Sequence, residues 1–309
     1  MYIEQAYKGF HEGWRYVVGI MSIFIGWQVV GMLPLMGTLI TKSKGQVMPT
    51  DISGMAALLG SNLFLFLMLL SFAFGLLATF LTVKLVHKQK IVDLTTSRKR
   101  VDWNRVGFAF LLWAIISIIM VGADLVFSPE DYVFNFKLEP FLYLLVIGVL
   151  LIPIQTSCEE YLMRGYLMQG IGILAKNRWV PLVITSLIFG LLHLGNPEVE
   201  KLGYGLMVYY IGTGLFLGIM TLMDEGLELA LGFHAANNLT TLLLVTSDWS
   251  AFQVESIYRD ISEPQISWNI FIPVLVIYPA LLYIFSKKYG WKNWRERLSG
   301  NIQAEESIN

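Results

Sequence analysis

An all-α, polytopic bundle of about eight transmembrane helices is the fold class this sequence predicts, and three observations predict it. Hydrophobic residues fill 55% of the 309 positions and charged residues only 15%, whereas an average globular chain carries roughly 25% charge. Uncharged runs at least as long as the ~18 residues that mark a membrane span recur along the chain. The period-2 alternation of a β-barrel is absent. Backbone amides in hydrocarbon have no partner but each other, so helix is the expected form of every run.

Counted between Asp, Glu, Lys and Arg, the runs are Tyr16–Thr41, Ile52–Val83, Val106–Ala123, Pro140–Cys158, Trp179–Pro197, Leu202–Met223, Leu229–Ser247 and Pro264–Ser286. The first exceeds the roughly 7–15 residues of a signal-peptide core and reads as a retained helix. The second is long enough that its first residues are expected outside the bilayer. The fourth is expected to continue as helix to about Ala175, longer than the membrane is thick, with Pro153 offering a kink or break. Neither end shows a cleavage, prenylation or sorting signal; the chain closes on Glu305-Glu306-Ser307-Ile308-Asn309.

Basic residues orient such a bundle. The 84–105 connection holds Lys84, Lys88, Lys90, Arg98, Lys99, Arg100 and Arg105, and the tail adds Lys287, Lys288, Lys292, Arg295 and Arg297. The 127–139 and 248–263 connections carry only Lys137 and Arg259 as bases. Eight spans then put both termini and the basic loop on the cytoplasmic side of a multi-pass protein, expected in the plasma membrane. Residues 1–138 read as about three N-terminal spans with their basic loop, 139–247 as a functional core, and 248–309 as a last span with a basic tail. Gly214 and Gly218 form a small-xxx-small pair that lets helices approach closely. With 22 bases against 23 acids, nothing suggests nucleic-acid binding. The single Cys158 excludes an intrachain disulfide and a multi-cysteine zinc site.

In so apolar a chain, polar groups within spans carry the information, because an ionised side chain at the bilayer centre costs at least ~2.5–3.5 kcal/mol and faces the protein interior. Three clusters qualify. In Cys158-Glu159-Glu160-Tyr161-Leu162-Met163-Arg164, helical spacing lets Glu160 pair with Arg164 on one face. Glu159 points about 100° away and is free to face a cavity. The second cluster is Phe189-Gly190-Leu191-Leu192-His193. The third, His234-Ala235-Ala236-Asn237-Asn238, stacks His234 and Asn238 on one helical face. Helical rise places Glu159, His193 and His234 all within the ~30 Å hydrocarbon core. His11 and His87 read as solvated or interfacial, and Asp224, Glu225 and Glu228 as structural acids near a helix start.

Glu159-Glu160-x-x-x-Arg164, Phe189-x-x-x-His193 and His234-x-x-x-Asn238, in that order, resemble the three motifs of the CPBP family. These are the type II CAAX prenyl endopeptidases and their Abi, or bacteriocin-processing, relatives. The resemblance spans roughly residues 139–245. It implies an intramembrane endopeptidase in which Glu159, assisted by His193, activates water, and His234 and Asn238 stabilise the oxyanion. Glu160, Arg164 and Phe189 would support the site. The implied partners are the lipid bilayer and a peptide or protein substrate, prenylated or of bacteriocin-leader type. The family is commonly labelled a metalloprotease, and Glu159, His193 and His234 could compose a His₂Glu zinc site. No His-Glu-x-x-His run is present, and metal-independent water activation is the preferred expectation. The competing classes are a non-catalytic binding or immunity protein and a proton- or ion-coupled transporter, although no inverted repeat is visible.

Overall fold

The computed structural model describes residues 1–265 and 268–303. The reading of the 304–309 tail lies outside these residues, as do positions 266–267 of the last apolar run. Helix dominates. The principal helices are α1 (Gly13–Ser43), α2 (Ile52–Leu59), α3 (Ser61–Leu85), α4 (Trp103–Phe127), α5 (Leu138–Ala175), α6 (Trp179–Leu191), α7 (Tyr204–Asp224), α8 (Glu228–Leu244) and α9 (Tyr278–Tyr289). Among the described residues, five (α1, α3, α4, α5 and α7) are long and apolar enough to cross a membrane.

The remaining runs fold into shorter helices, because a lack of charge extends past the point where helix stops. The Trp179–Pro197 run is helical only to Leu191. The second run divides at Gly60, whose positive φ of 86° separates the short α2, capped by the Asp51 carboxylate, from α3. The helix through Pro153 is continuous. It passes into a π-helical stretch at Tyr161–Leu167 and then on to Ala175. Such π segments shift side-chain phase within a helix and are frequent at functional sites.

The two ends of the bundle differ as the loop charges do. At one end the base-rich segments converge. Arg98 pairs with Asp224 at 3.2 Å and Glu228 at 3.3 Å, Arg105 also pairs with Asp224, and Trp291 Nε1 donates to the same carboxylate. The N-terminal turn Ile3–Lys8 joins them through Lys8–Asp93 and Arg178–Glu4, and the tail through an Asn177–Asn301 bridge. At the other end of α5, the two base-poor connections are tied into a small sheet. Strand β1 (Tyr132–Phe134) runs antiparallel to β3 (Tyr258–Asp260), which pairs in parallel with β2 (Val245–Ser247). Three-residue strands carry too short an alternation to be seen in sequence.

Inside the bundle α8 lies along α4 and also contacts α5, while α7 packs on α6. Close approach makes this possible. A Cβ on Gly232 would stand 2.1 Å from the Val106 carbonyl oxygen, and one on Gly214 2.9 Å from that of Ser186. The Gly214/Gly218 pair therefore seats α7 against α6. Gly232→Val is expected to cost about 1–3 kcal/mol by forcing α8 off the α4 backbone. Unfolding of the detergent-solubilised protein would register it.

His87 departs from the solvated reading. It is 2% exposed, with Nδ1 donating to the Phe10 carbonyl at 2.7 Å and Nε2 meeting the Tyr166 hydroxyl at 2.8 Å. The packing of the N-terminal segment over the end of α3 buries it, a long-range contact that local sequence does not reveal. Burial lowers its pKa from the ordinary value. The unfolded chain therefore takes up this proton first as pH falls below about 6.5. Stability is expected to be flat in this term above that pH and to decline below it. His87→Gln should flatten the acid side of the melting-temperature profile.

Candidate active site

The three motifs meet around one cavity of about 580 Å³, lined by Glu159, His193, His234, Asn238 and Phe189 among others. Helix α5 supplies the acids. Glu160 and Arg164, one turn apart, are both fully buried, and Nη1 donates to Oε1 at 2.9 Å. The other Arg164 amino group, Nη2, donates to the Gly214 carbonyl at 3.0 Å, and the guanidinium lies 4.3 Å from the centre of the Phe189 ring. One cation thus binds α5 to α6 and α7. Glu159, rotated away from that pair, keeps 15% side-chain exposure and faces the cavity.

His234 on α8 stands between the two acids. Its Nδ1 lies 2.8 Å from Glu160 Oε1 and its Nε2 3.6 Å from Glu159 Oε2. An ionised carboxylate only accepts, so the Nδ1 position carries the hydrogen in the contact with Glu160. Glu160 therefore does more than pair with Arg164, the limit of its expected role: it also orients an imidazole from another helix. Second partners of this kind fix the ring and leave the other nitrogen for chemistry.

His193 lies two residues beyond the end of α6, in a turn and not within a helix. Its backbone N–H turns inward to the Gly190 carbonyl, which leaves the Phe189 carbonyl without its helical partner. The imidazole takes that acceptor through Nδ1 at 2.7 Å, an unpaired helix-end carbonyl being a ready acceptor. Tyr210 stacks on the ring, 4.2 Å between centroids and 24° between planes. Among the described residues no direct hydrogen bond joins His193 to Glu159; they share the cavity wall. Phe189 sits 4.7 Å from the His193 ring and 5.9 Å from the His234 ring, so it touches both imidazoles and the arginine.

Asn238 is held by two other amides, accepting from Asn237 Nδ2 and donating to Gln155 Oε1, both at 3.0 Å. Gln155 Nε2 donates in turn to Glu159. Sequence reasoning did not select Gln155 or Tyr210, and it read Gly214 as a packing residue only. Gln155 was within reach of it, lying one helical turn before Glu159 on the same face. Among the described residues no three His, Cys, Asp or Glu side chains gather as a metal-holding group. Glu159, His193 and His234 therefore do not fit the zinc site composed from them, and no step is routed through a metal.

Acids, imidazoles and an amide from α5, α8 and the end of α6 thus gather around one cavity inside an apolar helical bundle. Comparison with known proteins identifies it further. Residues 138–240 match the family model for Rce1-like type II CAAX prenyl endopeptidases, so the chain carries a domain of the CPBP family. The uncharacterized protein YyaK of Bacillus subtilis (strain 168) is 27% identical over 286 residues, 91% of this chain and 95% of its own length. An uncharacterized protein of Mycoplasma capricolum is 28% identical over 122 residues, which are 38% of this chain and 34% of that protein. No solved structure matches.

Removing the cation strands a buried anion, typically about 3–5 kcal/mol. Arg164→Leu is accordingly expected to destabilise the protein by that order, read from the unfolding midpoint in detergent, whereas Lys137→Leu at an exposed pair should shift it little.

Proposed function

We propose that this protein is a membrane-embedded endopeptidase that hydrolyses a peptide bond with water activated by Glu159. The observation that supports it most is the placement of the Glu159 carboxylate 3.6 Å from His234 Nε2 within a cavity that His193 and Asn238 also line. Glu159 takes a proton from water, His193 assists through its free Nε2, and the resulting hydroxide attacks the scissile carbonyl; the tetrahedral intermediate then collapses with cleavage of the C–N bond as Glu159 passes that proton to the leaving amine. His234 and Asn238 receive the oxyanion. With its Nδ1 hydrogen committed to Glu160, His234 donates from Nε2 only as the imidazolium. Prearranged donors in a low-dielectric site are worth far more than in water.

The substrate in this reading is a peptide at the membrane, either a prenylated C-terminal sequence or a bacteriocin-type leader. Its support is the cavity's mixed lining, in which the apolar Trp27, Met68 and Phe72 accompany the polar groups. The protein crosses the plasma membrane eight times with both termini cytoplasmic. The meeting of the N-terminal turn, the 84–105 connection and the tail at one basic end supports the even count.

The test is cleavage of a farnesylated Cys-aliphatic-aliphatic-X peptide, and of its unlipidated form, by the purified protein in liposomes. A positioned general base contributes typically 10²–10⁴-fold, so Glu159→Ala should lower kcat by that much while the protein stays folded. Chelator should leave the wild-type rate unchanged. Near-normal cleavage by Glu159→Ala, or none of either peptide by the wild type, counts against the proposal.

A further inference from the structure

Along the cavity wall, five side chains from three helices are joined in series by four hydrogen bonds. Trp113 Nε1 on α4 donates to Asn237 Oδ1 at 3.1 Å. Asn237 Nδ2 donates to Asn238 Oδ1, Asn238 Nδ2 to Gln155 Oε1, and Gln155 Nε2 to Glu159 Oε1. Trp113 and Gln155 are buried, at 3% and 4% exposure, and Trp113 does not line the cavity.

The direction of the series is dictated by its ends. An indole N–H can only donate, and an ionised carboxylate can only accept. Each primary amide between them has one accepting and one donating end. With the terminal groups of opposite kind, all three amides must point the same way. Turning any one of them over sets two acceptors or two donors against each other, and a buried polar group left without a partner costs about 1–3 kcal/mol.

We infer that Trp113, Asn237 and Gln155 are positioning residues, forming with Asn238 a one-way hydrogen-bond relay that fixes the catalytic amide and the catalytic carboxylate together. The inference rests on the reading of Glu159 as base and Asn238 as oxyanion donor. The relay does two things for that chemistry. It holds Asn238 with its NH₂, not its carbonyl oxygen, as the free end: one Nδ2 hydrogen goes to Gln155 and the second remains for the cavity. A reversed amide would place an oxygen against the developing oxyanion. It also occupies Glu159 Oε1, which leaves Oε2, the oxygen nearer His234, to take the proton. Consecutive bonds in such a chain polarise one another.

The test is a double-mutant cycle on the full chain in liposomes, using the farnesylated peptide. Trp113→Phe removes only the far donor and keeps a ring against Phe233; Gln155→Met keeps length and removes the link to Glu159. Trp113→Phe is expected to lower kcat about tenfold and Gln155→Met about a hundredfold, each with KM within twofold, because neither change removes a proposed contact with the reacting peptide bond. The two side chains share no hydrogen bond, so independent roles would multiply. The relay instead requires the double variant to fall further than the product of the two single changes, since either end alone still sets the direction at Asn238, Trp113 through Asn237 and Glu159 through Gln155, and only their joint loss frees it.

A multiplicative double variant, or Trp113→Phe with unchanged kcat while Glu159→Ala is inactive, overturns the relay and leaves the endopeptidase reading standing. Activity in Glu159→Ala overturns both. The same cycle read on unfolding midpoints needs no substrate: coupled shifts support the relay, and additive shifts overturn it even if the peptide is not cleaved.

Discussion

Everything around the cavity hangs on one buried anion, Glu160. Its Oε1 accepts from Arg164 on its own helix and from His234 on α8, and Arg164 in turn reaches the backbone of α7 and the ring of Phe189 on α6. Four helices that lipid alone would not hold in register share one fully buried ionic hub. In hydrocarbon there is little hydrophobic drive between helices, so packing of small residues and polar contacts of this kind set their relation. Break the hub, and the imidazole and the arginine lose their common anchor.

The hub also explains how two adjacent acids come to have separate duties. A helical step of about 100° turns Glu159 away from Glu160. One carboxylate is neutralised and enclosed; the other is left beside His234 with part of its surface open to the cavity. The amide series from Trp113 closes on Glu159 through the oxygen that His234 does not approach. Both oxygens of that carboxylate consequently have assigned neighbours, a bonded one at Oε1 and a cavity-facing one at Oε2.

Much of this was legible in the sequence because it obeys helical spacing. Glu160 with Arg164, and His234 with Asn238, are four apart within helices, and the positions carrying charge in an apolar run marked themselves. Phe189 and His193 share the spacing, yet the second stands beyond the helix end, since nothing in an uncharged run tells where helix stops. Gln155, Trp113 and Asn237 were not selected as site residues: Gln155 lies one turn before Glu159 but carries no charge to mark it, and Trp113 and Asn237 take their meaning from each other across 124 positions. The same holds for His87, buried by a segment far off in the chain, and for the three-stranded sheet, whose strands are too brief to alternate visibly.

The most direct test of the hub is the catalytic rate of Glu160→Gln, measured beside its fold. Glutamine keeps the shape and an accepting oxygen but gives up the negative charge that Arg164 and His234 share. The expected result is a protein that remains folded and monodisperse in detergent while kcat falls by about 10²-fold or more, a size typical for losing an oxyanion donor. Cleavage within twofold of the wild type would contradict it.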